Sequence, residues 1–292
     1  MDVEQSDVRH RHEEEIAGLD ALDVRRVERP GRGVALWGAL WPKLVAVLVV
    51  LGTWQIVAWS GWRPDYVLPG PSTVLAELGR VVQTARFWRA VATTMQRALL
   101  GFGIAVSIGT LMGTCVSQVP VLRRTFGSLL GGLQNMPSIV WFPFAIVLLQ
   151  LSEAAILFVV VLGAAPSVAN GLVGGIDQIP PLLVRAGRVL GARGLAAFRH
   201  VILPAALPAY VAGLKQGWAF SWRSLMAGEL LVVIAGRTSV GTEMHYAQDL
   251  SDMPGLIAYM IVVLLIGIAV DGLGFRSLER HVLARRGLLE HR

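Results

Sequence analysis

The chain has 292 residues, 54% of them hydrophobic and only 16% charged, with a net charge of +6 and one cysteine. Soluble domains carry about 25% charged residues, and here the apolar residues gather in long runs, which excludes an ordinary soluble enzyme or nucleic-acid-binding domain and marks a membrane protein. The basic residues lie mostly between and beyond those runs, where cytoplasmic retention and anionic headgroups account for them. The cysteine, Cys115, sits inside an apolar run, so neither an intrachain disulfide nor a thiolate metal site is available; it reads as a small packed hydrophobe.

Residues 1–33 are polar and mixed in charge, with Glu13, Glu14 and Glu15 beside several arginines. They lack the apolar core of a signal peptide and are expected to form a disordered cytoplasmic tail. A membrane-spanning helix needs roughly 20 apolar residues, and six candidates follow. The first is Leu36–Trp59, in a segment, 34–67, whose Trp37, Trp41, Trp59 and Trp62 suit the two interfaces. A Pro69-Gly70-Pro71 turn then opens a short amphipathic helix to about Gln83, with Val74, Leu75, Leu78 and Val82 on one face. It is too short to span and is expected at the membrane surface. The second span is Ala98–Ser117, extending upstream through Arg89 and Arg97. The third is Phe126–Leu151, interrupted at Gln134–Pro137 and at Pro143. Ala154–Ile176, Ala205–Ile234 and Leu256–Phe275 complete the set, followed by a basic tail, 276–292. The arginine distribution puts both termini and the 177–204 loop in the cytoplasm of a multi-pass protein. The arginines from Arg80 to Arg97 fall outside, against that bias; a surface helix with its basic face on headgroups would reconcile them.

The loop before the fifth span carries the most information. Pro180–Leu190 reads as a short helix with Leu182, Leu183, Ala186, Val189 and Leu190 near one stripe, flanked by Arg185 and Arg188. Gly191 breaks it. Gly194–Leu203 reads as a second short helix with Leu195, Phe198, Val201 and Ile202, and Pro204 opens the next span. Such a pair either docks in a groove on a partner or lies re-entrant at the interface, and the pattern leaves both open.

The twenty residues from Arg185 to Pro204, RAGRVLGARGLAAFRHVILP, resemble the loop that marks permeases of bacterial binding-protein-dependent ABC importers. That pattern is Glu-Ala-Ala, three residues, Gly, nine residues, Ile, one residue, then Leu-Pro. Ala186, Gly191, Leu203 and Pro204 match it in identity and spacing. Gly187 stands for the second Ala, Val201 for the Ile, and Arg185 for the Glu, reversing a charge. The resemblance extends over about 68–275: LPGPSTV at Leu68–Val74, and the segments Leu133–Ile156 and Leu203–Leu231, look like permeases for nitrate, sulfonate, taurine or bicarbonate. It implies an all-α, type I importer permease fold of about six spans, with a cytoplasmic coupling loop between spans four and five. It also implies a homodimer, two copies of a cytoplasmic ATPase and an extracytoplasmic solute-binding protein. Arg185, Ala186, Gly187, Gly191, Phe198, Val201, Leu203 and Pro204 would form the loop that takes force from the ATPase.

The chain has no Gly-x4-Gly-Lys-Ser/Thr phosphate loop, so nucleotide hydrolysis would reside on another polypeptide. No catalytic residue, metal site, cofactor or nucleic-acid partner is expected. Lys215, Arg223 and Glu229 interrupt the fifth apolar run, where a charge costs about 3 kcal/mol or more unless it faces protein or water. Lys215 and Arg223, with Trp218 and with Asn135 at the break in the third span, are candidates for an oxyanion pathway. The competing expectation is structural: Arg223 paired with Glu229 or Glu153, the tryptophans packed, and Asn135 at a packing kink. The glycine pairs Gly109/Gly113, Gly127/Gly131 and Gly171/Gly175 suit close helix contact. An ion-driven secondary transporter and a membrane-embedded enzyme are alternatives. Glu229 is the main acid found within a span and the histidines are scattered, so neither gains support.

Overall fold

The computed structural model describes residues 32–284, and among them every regular element is helical. The tail expected over 1–33, apart from 32–33, and the C-terminal end from 285 lie outside the described residues. The chain separates into a first unit ending at Ile56 and a second, 57–292. Helix α1, Arg32–Trp59, has Pro42 within it and provides the apolar window Leu40–Trp59.

In the second unit Pro71, at the first position, starts α2, Pro71–Val82, where the missing N–H costs no hydrogen bond. Four further helix starts are capped by side chains that accept an otherwise orphaned backbone N–H. Thr84 caps α3, Ala85–Gln118. After α4, Pro120–Asn135, a 3₁₀ turn at Ser138–Trp141 leads into α5, Phe142–Leu149. Ser152 caps α6, Glu153–Asp177. The loop holds α7, Pro181–Val189, and α8, Gly194–Ala197, which passes through a π turn, Phe198–Ile202, into α9, Leu203–Leu231. Ser239 caps α10, Val240–Asp249, and Asp252 caps α11, Met253–Ala269. A second π turn, Val270–Phe275, joins α11 to α12, Arg276–Ala284.

Helix α6 is the centre of the unit. Its buried residues include Ile156, Val159 and Val160 on the side that meets Trp218, Trp222 and Leu225 of α9. Glycines set how closely its neighbours approach. A Cβ on Gly171 would lie 2.5 Å from Cα of Gly213, so α6 and α9 cross backbone to backbone. On the other side a Cβ on Gly109 would lie 2.6 Å from the Ala165 carbonyl oxygen, and one on Gly113 would lie 3.0 Å from that of Ala169. The expectation of close helix contact therefore holds for these two pairs, as van der Waals packing between small residues requires. Gly127 and Gly131 face open space. Cys115 is exposed instead of packed, because two residues beyond Gly113 lies about 200° round the helix.

Among the described residues four helical stretches have the length and apolarity of a span: Leu40–Trp59, Ala85–Gln118, Glu153–Asp177 and Met253–Val282. The pair Leu129–Asn135 and Ser138–Leu149, bent by 96°, makes a fifth if counted as one. The bend sits at Met136-Pro137, where the residue before proline is extended for the steric reason that disfavours helix there. The remaining expected span, the fifth, is α9. At 29 residues it is about 43 Å long, but Lys215, Gln216, Arg223 and Glu229 leave it too polar to meet the same apolarity standard. The short α2 packs against α11, with Val74 buried.

Candidate functional site

Three features concentrate polar chemistry in the second unit: a buried ion network, a groove along α9, and the loop.

The network is centred on Glu229, fully buried near the end of α9. Its Oε1 accepts from Arg97 Nη1 at 2.9 Å, and its Oε2 accepts from Thr94 Oγ1 at 2.9 Å and from the Gly241 backbone N–H at 3.0 Å. Thr94 Oγ1 in turn accepts the Val240 N–H at 2.9 Å. Arg97 also grips Glu153 with two donors, at 2.8 and 2.6 Å. One cluster thus ties α3, the first residue of α6, the end of α9 and the start of α10. Glu153 and Glu229 both lie against helix N-termini, where the dipole favours a carboxylate. Gly241 is required at its position, because a Cβ there would meet Glu229 Cβ at 2.3 Å.

This network corrects the expected pairing of Arg223 with Glu229 or Glu153, since Arg97 takes both. Nearby carboxylates also account for three of the arginines that ran against the charge bias. Arg97 is internal, Arg86 Nε meets Glu243 at 2.7 Å, and Arg80 Nε donates to Glu77 at 2.9 Å. The Glu77 hydrogen bonds push the Arg80 guanidinium pKa up. The missed signal was the acids themselves, Glu153, Glu229 and Glu243 near helix ends and Glu77 within α2.

The groove has a volume of about 510 Å³ and brings together three of the four candidate pathway residues, Lys215, Trp218 and Arg223. Trp218 stacks on Trp222, with centroids 6.3 Å apart and planes 17° from parallel. Lys215 Nζ sits 3.2 Å from Asp271 Oδ1. Asp271 lies in the second π turn, inside the run taken for the sixth span, so a second acid joins Glu229 within the expected spans. Its position among apolar residues was itself a signal. Arg223 is exposed; its Nε donates to the Ala219 carbonyl of its own helix at 3.1 Å and its guanidinium lies 4.7 Å from the Phe220 ring centroid. Among the described residues Arg223 meets no carboxylate. Asn135 is exposed at the end of α4 and does not line this groove; the neighbouring Gln134 accepts from Asn170 Nδ2 at 2.7 Å.

In the loop Gly187 is buried, and a Cβ on it would lie 2.9 Å from Val201 Cγ2. A second groove there is lined by Ala186, Gly187, Val201 and Pro204. Gly191 has φ +87°, a left-handed conformation that glycine adopts without penalty. Its N–H donates to the Arg188 carbonyl at 3.1 Å and the Ala192 N–H to that of Gly187 at 2.9 Å, closing α7. Arg185 is exposed, Phe198 and Leu203 half-buried. The second loop helix was expected to stop at Pro204. Instead the helical backbone is continuous from Gly194 to Leu231, because the Leu203 N–H reaches back five residues to Phe198. That wider turn relieves the clash a proline causes with the carbonyl four residues earlier.

Residues 105–281 match the family described as binding-protein-dependent transport system inner membrane component. A probable ABC transporter permease protein of Brucella melitensis biotype 1 is 26% identical over 230 residues, 79% of this chain and 91% of that protein. The bicarbonate transport system permease protein of Synechococcus elongatus is 28% identical over 270 residues, 87% of this chain and 95% of that one. Others of similar identity are named as permeases for taurine and aliphatic sulfonates in Escherichia coli and for nitrate in Synechocystis. Among solved structures, a chain of the MetNI methionine ABC transporter superposes with a TM-score of 0.58 at 19% identity, covering 68% of this chain and 96% of that chain.

Proposed function

From the premise that the chain belongs to the family of binding-protein-dependent transport system inner membrane components, a family of transport subunits and not of enzymes, we propose that it is the permease of an ATP-driven importer for a small oxyanion-type solute: a sulfonate, taurine, nitrate or bicarbonate. Two copies of the chain span the cytoplasmic membrane with both termini inside. Each receives one of two ATPase subunits on the loop Arg185–Pro204, and a solute-binding protein delivers solute from outside. The relatives' printed solutes support the substrate class.

The observation that carries the coupling role is a basic, exposed loop helix whose partner segment runs without a break in helical backbone into α9. A push on the loop then moves α9, and with it the groove, as one lever. ATP-driven closure of the ATPase pair would shift the permease between two states by binding the loop better in one of them. Deleting Gly187–Arg193 is expected to abolish both ATPase association and uptake. Gly191→Val, which forces a β-branched residue to φ +87° at a cost of about 1–2 kcal/mol, is expected to reduce both. Co-purification and solute uptake measure this, and normal values in the deletion variant would refute the coupling role.

At membrane depth the polar flank of α9 requires water or protein against it, which a pathway between two copies supplies. Lys215 already has a carboxylate and Arg223 does not, so the two are expected to differ. Arg223→Gln should lower apparent affinity for taurine or bicarbonate by about tenfold at equal expression, the loss of roughly 1.4 kcal/mol. Lys215→Gln should act mainly through the orphaned Asp271, lowering transport rate more than affinity. Concentration series of uptake separate the two, and unchanged affinity in Arg223→Gln removes its role toward the solute.

A further inference from the structure

Gly187 marks the inner face of α7, because it is the buried residue of that helix and its missing side chain points at Val201. At about 100° per residue, Arg185 then stands about 160° round one way and Val189 about 160° round the other, with Leu182 about 140° round on the side of Val189. Leu182 is 76% exposed and Val189 87% exposed. The face farthest from the chain's own interior is therefore one arginine with two bare apolar side chains next to it on the same side. Arg80, Arg86, Arg97, Arg123 and Arg237 each meet a carboxylate. Arg185 meets none among the described residues, and neither do Arg188, Arg193 and Arg199 on the same loop.

An apolar face of this kind is stable in contact with a partner, and covering it strips water from Arg185. A guanidinium desolvated without a counter-charge is strongly unfavourable. We propose that the groove receiving α7 presents an Asp or Glu carboxylate to Arg185 from an otherwise apolar floor, with further acidic residues at its rim facing Arg188, Arg193 and Arg199. The inference rests on the docking role of the loop and adds the chemistry of its partner. In the loops this one resembles the corresponding residue is Glu, so the polarity of the contact is inverted here. The rim charges would steer association and make it salt-dependent, while the Arg185 pair would hold the complex once formed.

The test uses the full-length chain purified with its nucleotide-hydrolysing subunit, recognisable by the Gly-x4-Gly-Lys-Ser/Thr loop absent from this chain. An Arg185→Lys variant treated with a carbodiimide is expected to form an amide to an Asp or Glu of that subunit, mapped by mass spectrometry. Arg185→Glu is expected to weaken association about 30-fold or more. A carboxylate-to-lysine change at the mapped position should restore it. Full association of Arg185→Glu together with loss on deleting Gly187–Arg193 overturns the acidic groove and leaves docking standing. Full association of both variants overturns docking and the acidic groove together. An amide formed only within this chain also overturns the proposal.

Discussion

Replacing Arg97 with methionine is expected to destabilise the folded chain by about 3–5 kcal/mol, the range for removing one partner of a buried ion pair. The Arg97 side chain is 6% exposed and that of Glu229 is 0% exposed. Among the described residues, the variant leaves Glu229 without its cation and Glu153 with Arg237 alone, at 4.0 Å. The loss comes from the orphaned carboxylate more than from the missing attraction, since taking two charges out of water offsets much of what they gain by meeting. The double variant Arg97→Met/Glu229→Leu should therefore recover a large part of the stability, although Thr94 and the Gly241 N–H then lose an acceptor. Thermal melting of purified protein in detergent measures both. A single variant that melts with the native chain would show that the network carries no stability.

The second large effect is steric. Gly171→Leu is expected to cost about 3 kcal/mol or more, at or beyond the upper end for overpacking. The new side chain would begin 2.5 Å from Cα of Gly213, with backbone and no flexible tip to move aside. The α6–α9 crossing has to open, and the Trp218 and Trp222 packing against Ile156, Val159 and Val160 opens with it. Gly127→Leu and Gly131→Leu are the controls. They carry the same four-residue glycine spacing, yet nothing lies within 4 Å of either position, so each should stay within about 0.5 kcal/mol of the native chain. If all three variants melt alike, the close crossing is not what holds these helices together.

That contrast shows where the sequence is legible. Spacing identifies a glycine pair but not what stands opposite it, because the opposing residues come from another helix. The same holds for charge. Lys215, Arg223 and Glu229 were conspicuous because they interrupt apolar sequence. Glu229 was given the wrong partner and Lys215 none, because Arg97 and Asp271 lie 132 and 56 residues away from them along the chain. Arg97 looked like a surface charge near the end of a span. Only the packing of α3 between α6 and α10 reveals it as the centre of a network.

Within the loop the reading was closer. The α7 helix, the glycine stop and the second helical segment all follow from local rules: apolar periodicity, a left-handed glycine, a proline without an N–H. The π turn does not, because whether a proline ends a helix or is absorbed into a wider turn depends on what holds the segments on either side.

What the amino-acid sequence determined by itself is the class of the molecule and its punctuation: apolar helices, their caps and breaks, and a basic loop with a twenty-residue pattern. These are set by hydrophobicity, backbone propensity and residues within a turn or two of each other. The tertiary structure alone decided which charges are neutralised, which glycines are contacts, and which face of the loop helix is left bare. Each of those depends on side chains brought together from distant parts of the chain, and an ion pair or a void has no local trace until the helices pack.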